Sequence, residues 1–207
     1  MTNRWLELEK RLQTRRTPHT LALDTTIPAG AYDRARRTEG EIEHLYLDPN
    51  GKVHVGVGRL LPSADAAAKL AFLRNADGTP ATEQEIKAEF AIVAGKEGNK
   101  VASYYKQFTT LHLAKTTIDA LLTADLQTVV NGLRSDFSDY GSYPAGVQEA
   151  LIDMAFNLGN AGLVNEFPRF VGHIRKRDWK AAAKESHRRG VSEARNDEIA
   201  KLLDDAA

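Results

Sequence analysis

The chain has no cysteine among its 207 residues. That excludes a disulfide scaffold, a thiolate zinc site and a cysteine nucleophile. It also lacks a surplus of either charge: 28 lysines and arginines balance 28 aspartates and glutamates. Whole-chain neutrality speaks against an electrostatic binder of nucleic acid. No apolar run approaches the roughly 18 residues that span a bilayer, so no membrane insertion is expected. Met1 to Gln13 is charged and amphipathic, unlike a secretory signal. A phosphate-cradling glycine loop and a G-x-S-x-G elbow are both missing. No histidine pair stands at metal-ligand spacing, so neither a metal nor a cofactor is expected. Asn75-Ala76-Asp77-Gly78 echoes the start of a calcium loop, but the remaining ligands and the closing glutamate are absent. It reads as a plain turn.

What is present is an ordinary globular composition, 42% apolar and 27% charged. This is enough apolar surface to offset chain entropy in one domain or two lobes. Trp5, Leu8 and Leu12 recur at helical spacing and predict an N-terminal amphipathic helix, followed by a connector over 14–30. A second helix is expected over about 31–43. The period then changes. Leu45-Tyr46-Leu47, the turn Asp48-Pro49-Asn50-Gly51 and the alternating run 52–58 predict a hairpin with a type I turn. Val53, Val55 and Val57 fall on one strand face, His54, Gly56 and Gly58 on the other. A face of glycines usually admits something close to the backbone.

Helical patterning returns over 63–73, followed by a turn at 75–80. Thr82 and Glu85 form a capping box that opens a helix closed by Gly95. A short packed segment over 101–108 and a long amphipathic helix over 116–133 come next. Val147 to Leu158 is apolar nearly all round and should be the buried central helix. Shorter helices are expected over 167–176, 178–187 with Asp178 as cap, and 192–204. The fold class is α+β, mainly α, with the hairpin in a smaller lobe. Residues 1–35 read as an N-terminal helix and connector, and 36–207 as the main domain. Within it the hairpin lobe covers about 36–62, a helical region 63–115 and a C-terminal helical lobe 116–207.

One constellation could carry chemistry: Glu39 near a helix end, Asp48 at the hairpin turn, and His54 on the bare strand face. Glycoside cleavage needs two carboxyl groups of different character, one held protonated and one ionised. A helix feeding a hairpin can set two such groups on either side of a groove. Spacing alone favours a second reading, with Glu39 a solvated helix residue and Asp48 only the cap of its turn. Glu41 and Glu43 compete for the acid role. His44 reads as a surface neighbour, Trp179 and Phe170 as core. Tyr104 and Tyr105 are either packing or an added sugar subsite.

The segment Glu39-Gly40, Tyr46-Leu47-Asp48, Gly51, Gly56-Val57-Gly58-Arg59-Leu60-Leu61 resembles the active-site stretch of the phage-type lysozymes. These are the muramidases of tailed phages, and pesticin-type bacteriocins carry a related domain. Eight residues separate Glu39 from Asp48, and five separate Asp48 from position 54, as in that family. Downstream, 150–159 resembles its central helix, 175–183 its later helix pair, and Ser192-Glu193-Ala194-Arg195-Asn196 its closing arginine segment. The resemblance covers about 36–62 and 116–202.

It implies a lysozyme-like two-lobed fold and hydrolysis of the β-1,4 bond between N-acetylmuramic acid and N-acetylglucosamine. By the same resemblance Glu39 is the general acid, Asp48 the opposing carboxylate, and Arg195 the partner that fixes Glu39. Leu60, Phe156 and Asn157 match positions that line the sugar cleft. Two residues depart from the family. Its threonine or serine is His54 here, and the histidine after Gly-x-Gly is Arg59. An imidazole can accept a proton near neutral pH, so His54 would assist Asp48 with the water, or the site has lost turnover. Three readings follow: a muramidase, a wall-binding module of altered site, and a toxin domain. The expected partner is peptidoglycan, with a secretion or lysis apparatus for delivery and, for a toxin, an immunity protein. A monomer acting in the periplasm or outside the cell is the expectation. Nine lysines and arginines against three acids between Arg169 and Arg195 suggest a basic face toward an anionic wall.

Overall fold

The computed structural model describes residues 27–207. The expected helix over Met1–Gln13 and most of the connector lie outside these residues. Helix takes 59% and strand 10% of what is described, so the class is α+β, mainly α.

Helix α1 (Ala29–Glu39) starts after Pro28, and Arg36 and Arg37 stand in its last turn, where cations offset the helix dipole. It stops four residues before its expected end. The Gly40 N–H bonds back to the Arg36 carbonyl, and Gly40 itself takes a φ of 77°. Ile42, Glu43 and His44 enter strand β1 (Ile42–Leu47) instead. Strand β2 (Val53–Gly56) pairs with it antiparallel, with Tyr46 opposite His54 and Leu47 opposite Val53. The hairpin was legible in the sequence; strand β3 (Arg59–Leu60), with Leu60 opposite His54, was not. Val53, Val55 and Val57 are buried, as their alternation requires.

The run 63–73 is helical only over α2 (Ala64–Ala68), capped by Ser63. Phe72–Arg74 forms strand β4 and pairs with β5 (Leu111–Leu113). The helix expectation fails here because Phe72 has a buried strand partner, Leu113, 41 positions away, and tertiary pairing overrides local propensity. Between them lies α3 (Glu83–Ala94), opened by the full Thr82–Glu85 capping box and closed at Gly95. After it come α4 (Ala102–Tyr105) and a 3-10 turn over Lys106–Phe108. Asn75–Gly78 is a turn: the Asp77 Oδ1 accepts from the Thr79 N–H and hydroxyl.

Helix α5 (Lys115–Asp136) is about 33 Å long at 1.5 Å per residue. It buries Ile118, Leu122, Leu126, Val130 and Leu133 at spacings of four and three. Pro144 then opens α6 (Ala145–Leu158), whose residues 150–155 are all buried. Gly159 breaks it into α7 (Asn160–Glu166), a helix the sequence reading did not separate. The remaining helices are α8 (Pro168–Arg175), α9 (Trp179–Lys184) with Asp178 as cap, and α10 (Glu193–Asp204) with Ser192 as cap. Helix α9 stops three residues short of the expected His187. Trp179, Phe170 and Tyr105 are core, which removes Tyr105 as a sugar contact; Tyr104 stays partly exposed.

The region 63–115 docks on the hairpin at two points. The His44 Nε2 meets the Ala102 carbonyl at 3.0 Å, so His44 is a tether between elements, not a bystander at the surface. The loop at Gly98 lies flat on Gly51: a Cβ on Gly98 would come within 3.3 Å of the Gly51 backbone. Tyr105 holds that loop by donating its hydroxyl to the Glu97 carbonyl at 2.8 Å.

Candidate active site

Glu39 is the last residue of α1, so its side chain projects where helix gives way to hairpin. Its Oε1 accepts from Arg195 Nη1 at 3.1 Å, and Arg195 comes from the first turn of α10. A groove of about 440 Å³ opens beside them, lined by Thr38, Glu39, Asn157, Ser192, Arg195 and Glu198. Asp48, His54 and Leu60 are not among its lining residues.

Asp48 opens the hairpin turn. Its Oδ1 accepts from the Asn50 N–H at 2.9 Å and the Lys52 N–H at 2.8 Å, while the Gly51 N–H bonds its carbonyl. Burial pushes the Asp48 carboxyl up, but those N–H groups and the His54 ring outweigh it and hold the carboxyl below its ordinary value. The other oxygen, Oδ2, faces His54 Nε2 at 3.4 Å. His54 Nδ1 lies 3.0 Å from the Gly58 carbonyl. A carbonyl only accepts, so Nδ1 carries the proton; Nε2 supports the ionised Asp48 only when the ring is protonated, and in a neutral ring it offers a lone pair. That Nε2 is buried with no hydrogen-bond partner.

Gly58 joins the two halves. It has a φ of 69°, and a Cβ added there would stand 3.4 Å from Glu39 Oε2. The expected glycine face of a continuous strand is not formed: β2 ends at Gly56, which packs on Ile118, and it is the turn at Gly58 that lies against the Glu39 side chain. Tyr46, opposite His54 with ring centroids 5.8 Å apart, completes the surround. Its hydroxyl is pushed up to about 12 by burial, then by the negative charges of Glu39 and Asp48, with the Gly58 backbone opposing.

Behind Arg195 the charges continue inward. Arg195 Nε and Nη2 both reach Asp153 Oδ1, at 3.0 and 2.9 Å. Arg188 Nη2 reaches Asp153 Oδ2 at 2.7 Å, with both side chains nearly sealed from solvent. Burial pulls the Arg188 guanidinium below its ordinary value, while Asp153 opposes. Arg188 is fixed by its backbone, which exchanges hydrogen bonds with the Asn196 side chain. A small void of about 10 Å³, room for one water at most, lies against Asp153, Arg195, Arg34, Glu149 and Phe156.

Glu39, Asn157 and Arg195 thus share one groove, while Asp48, His54 and Leu60 sit on the hairpin side of Gly58. Phe156 borders the small void. Leu60 is 44% exposed on β3. Glu41 is engaged by Arg36 and Lys115, and Glu43 is exposed. Arg59 pairs with Asp125 on α5, tying the hairpin to the long helix. The basic face is smaller than the sequence count, because Arg188 and Arg195 point into the ion network. Tyr46, Asp153 and Arg188 had not been picked out as parts of the site. Asp153 had one legible signal, a carboxylate between apolar neighbours Leu151, Ile152, Met154 and Ala155; Arg188 had none. Among the described residues no three His, Asp or Glu side chains gather as a metal site, and no helix is long and apolar enough to cross a membrane. No protein-family model matches the chain, and no curated protein matches it significantly.

Proposed function

We propose that the chain is a muramidase, a glycoside hydrolase cleaving the β-1,4 bond between N-acetylmuramic acid and N-acetylglucosamine in peptidoglycan. The observation that carries this reading is that Gly58 touches Glu39 on one side and, through its carbonyl, His54, the neighbour of Asp48, on the other. Glu39 is gripped by Arg195 beside an open groove, and Asp48 is held ionised by backbone N–H groups and His54. The choice of bond rests on the resemblance to phage-type lysozymes. So does the two-lobed description, with the hairpin region as the small lobe.

In this mechanism Glu39 gives its proton to the glycosidic oxygen as the bond to the anomeric carbon breaks. A water held at Asp48 Oδ2 attacks the anomeric carbon as its proton passes to Asp48, with the His54 ring behind that carboxylate. Asp48 then gives the proton to solvent, from which Glu39 is reprotonated. Asn157 and Arg195 line the groove for the sugar chain, with Leu60 on the hairpin side. The substrate puts the site of action in the periplasm or outside the cell. That calls for a secretion or lysis partner and, for a toxin, an immunity protein filling the groove.

A second reading draws on the same His54–Asp48 pair. A protonated ring would neutralise Asp48 and leave a wall-binding module without turnover. Turbidity loss of a wall suspension separates the two. Glu39→Gln should lose about 10²–10⁴-fold in rate and His54→Ala about 10²-fold, both folded. Equal rates for Glu39→Gln and the unaltered chain would sink the enzyme reading. Anomer analysis of the products by NMR then reports inversion or retention.

A further inference from the structure

Asp153 is a carboxylate at 4% exposure in the middle of the buried helix α6, and it is shared by two arginines. A guanidinium is a rigid planar fork, so fixing two of its nitrogens fixes the direction of the third. Asp153 takes Nε and Nη2 of Arg195 and leaves Nη1, which is the nitrogen on Glu39 Oε1. Arg188 takes the other Asp153 oxygen and is itself locked by Asn196. The four side chains form a line of alternating sign from core to groove: Arg188, Asp153, Arg195, Glu39.

We infer that Asp153 is a positioning residue for the proposed acid: its two-point grip aims Arg195 at Glu39, and its charge sets the potential Glu39 meets. This rests on the muramidase reading above. The other charged or titratable groups around Glu39 are Tyr46 from β1, Asp48 from the turn, His54 from β2, Arg188 from the loop before α10, and the paired Arg37 of α1 and Glu198 of α10 across the groove. Arg34 and Glu149 face Asp153 across the small void. In Asp153→Asn two cations remain for one anion, so the potential at Glu39 becomes more positive and favours its ionised form. An acid that must be protonated then fails at lower pH.

The test compares the unaltered chain, Asp153→Asn, and the double variant Asp153→Asn/Arg188→Gln, which removes one charge of each sign. In Asp153→Asn the alkaline limb of the rate profile should move down by about half a pH unit or more. Its kcat should fall about tenfold, with KM changed less than about twofold. In the double variant the limb should return while kcat stays low, because Arg195 is still unaimed. A folded Asp153→Asn with unchanged limb and kcat would overturn the inference. Full recovery in the double variant would overturn it too, since that is what a merely structural role predicts. Should Asp153→Asn fail to fold, the double variant decides alone: unchanged kcat overturns. A readout independent of activity is the Glu39 carboxyl carbon resonance, assigned with Glu39→Gln. It should titrate at lower pH in the single variant, or in the double variant at the unaltered pH with altered shifts. No difference in either overturns the inference even in a chain that cleaves nothing. Equal wall lysis by Glu39→Gln and the unaltered chain overturns only the muramidase reading.

Discussion

On the hairpin side of the site, Asp48 is held by the N–H groups of Asn50 and Lys52 and by the ring of His54, all within six positions of it. On the helical side, Glu39 is held by a guanidinium 156 positions away, itself held by a carboxylate on a third element. The first arrangement uses backbone N–H groups and one imidazole at a partly exposed turn. The second is anchored on a charge pair taken out of water, Asp153 and Arg188, which is stable only while every partner is present. A carboxylate meant to stay ionised needs little more than N–H groups and solvent. A carboxyl group that must change its proton needs a fixed counter-charge, and a fixed charge must be anchored in the core.

The sharpest break of that contrast is a comparison of Arg188→Ala with Asp48→Ala. Removing Arg188 strips a buried carboxylate of one of its two cations and should cost about 3–5 kcal/mol. Removing the Asp48 side chain loses turn hydrogen bonds near solvent and should cost about 1–2 kcal/mol. Urea unfolding measures both, and equal losses would erase the distinction. A smaller effect is expected where the halves meet. Gly58→Ala forces a Cβ into a left-handed backbone beside Glu39 and should cost about 1–2 kcal/mol. Its Glu39 side chain should also shift, visible as altered Arg195 side-chain resonances. A fully neutral substitution would mean that the two halves do not touch through Gly58.

The smallest effect is electrostatic. Asp48 titrates below its ordinary value when folded, so its charge stabilises the fold above the unfolded carboxylate value near 4. That stabilisation is lost as pH falls through the depressed folded value. Asp48→Asn should therefore lower Tm at pH 7 by the equivalent of about 1 kcal/mol or less, and the gap should close on acidification toward pH 2. A gap that persists unchanged at low pH would show that the turn depends on something other than this charge.

The same contrast explains what the sequence disclosed. The Asp-Pro-Asn-Gly turn, the burial of Val53 and Val55, the Thr82–Glu85 box and the Asp178 cap are all short-range devices, and the structure contains each of them. Strands β4 and β5 escaped because each is three residues long and defined only by the other. The end of α1 escaped because Gly40 takes a positive φ and redirects the chain into β1, which helical periodicity does not register. At the candidate site, Glu39 and Asp48 stood out through their match to the lysozyme pattern and His54 as the one side chain on a strand face otherwise of glycine. Arg188 was invisible: its neighbourhood reads as a basic surface, and only packing shows it turned inward against Asp153.

The Glu39–Arg195 contact also bears on the order in which the molecule is completed. The hairpin closes a loop of a few residues and can form within microseconds, almost as soon as its strands exist. The Glu39 partner arrives only when α10 packs, and a loop of 156 residues has then been closed. A nascent chain released as far as residue 190 therefore carries Asp48, His54 and Glu39 but no Arg195, and the ion network follows the hairpin.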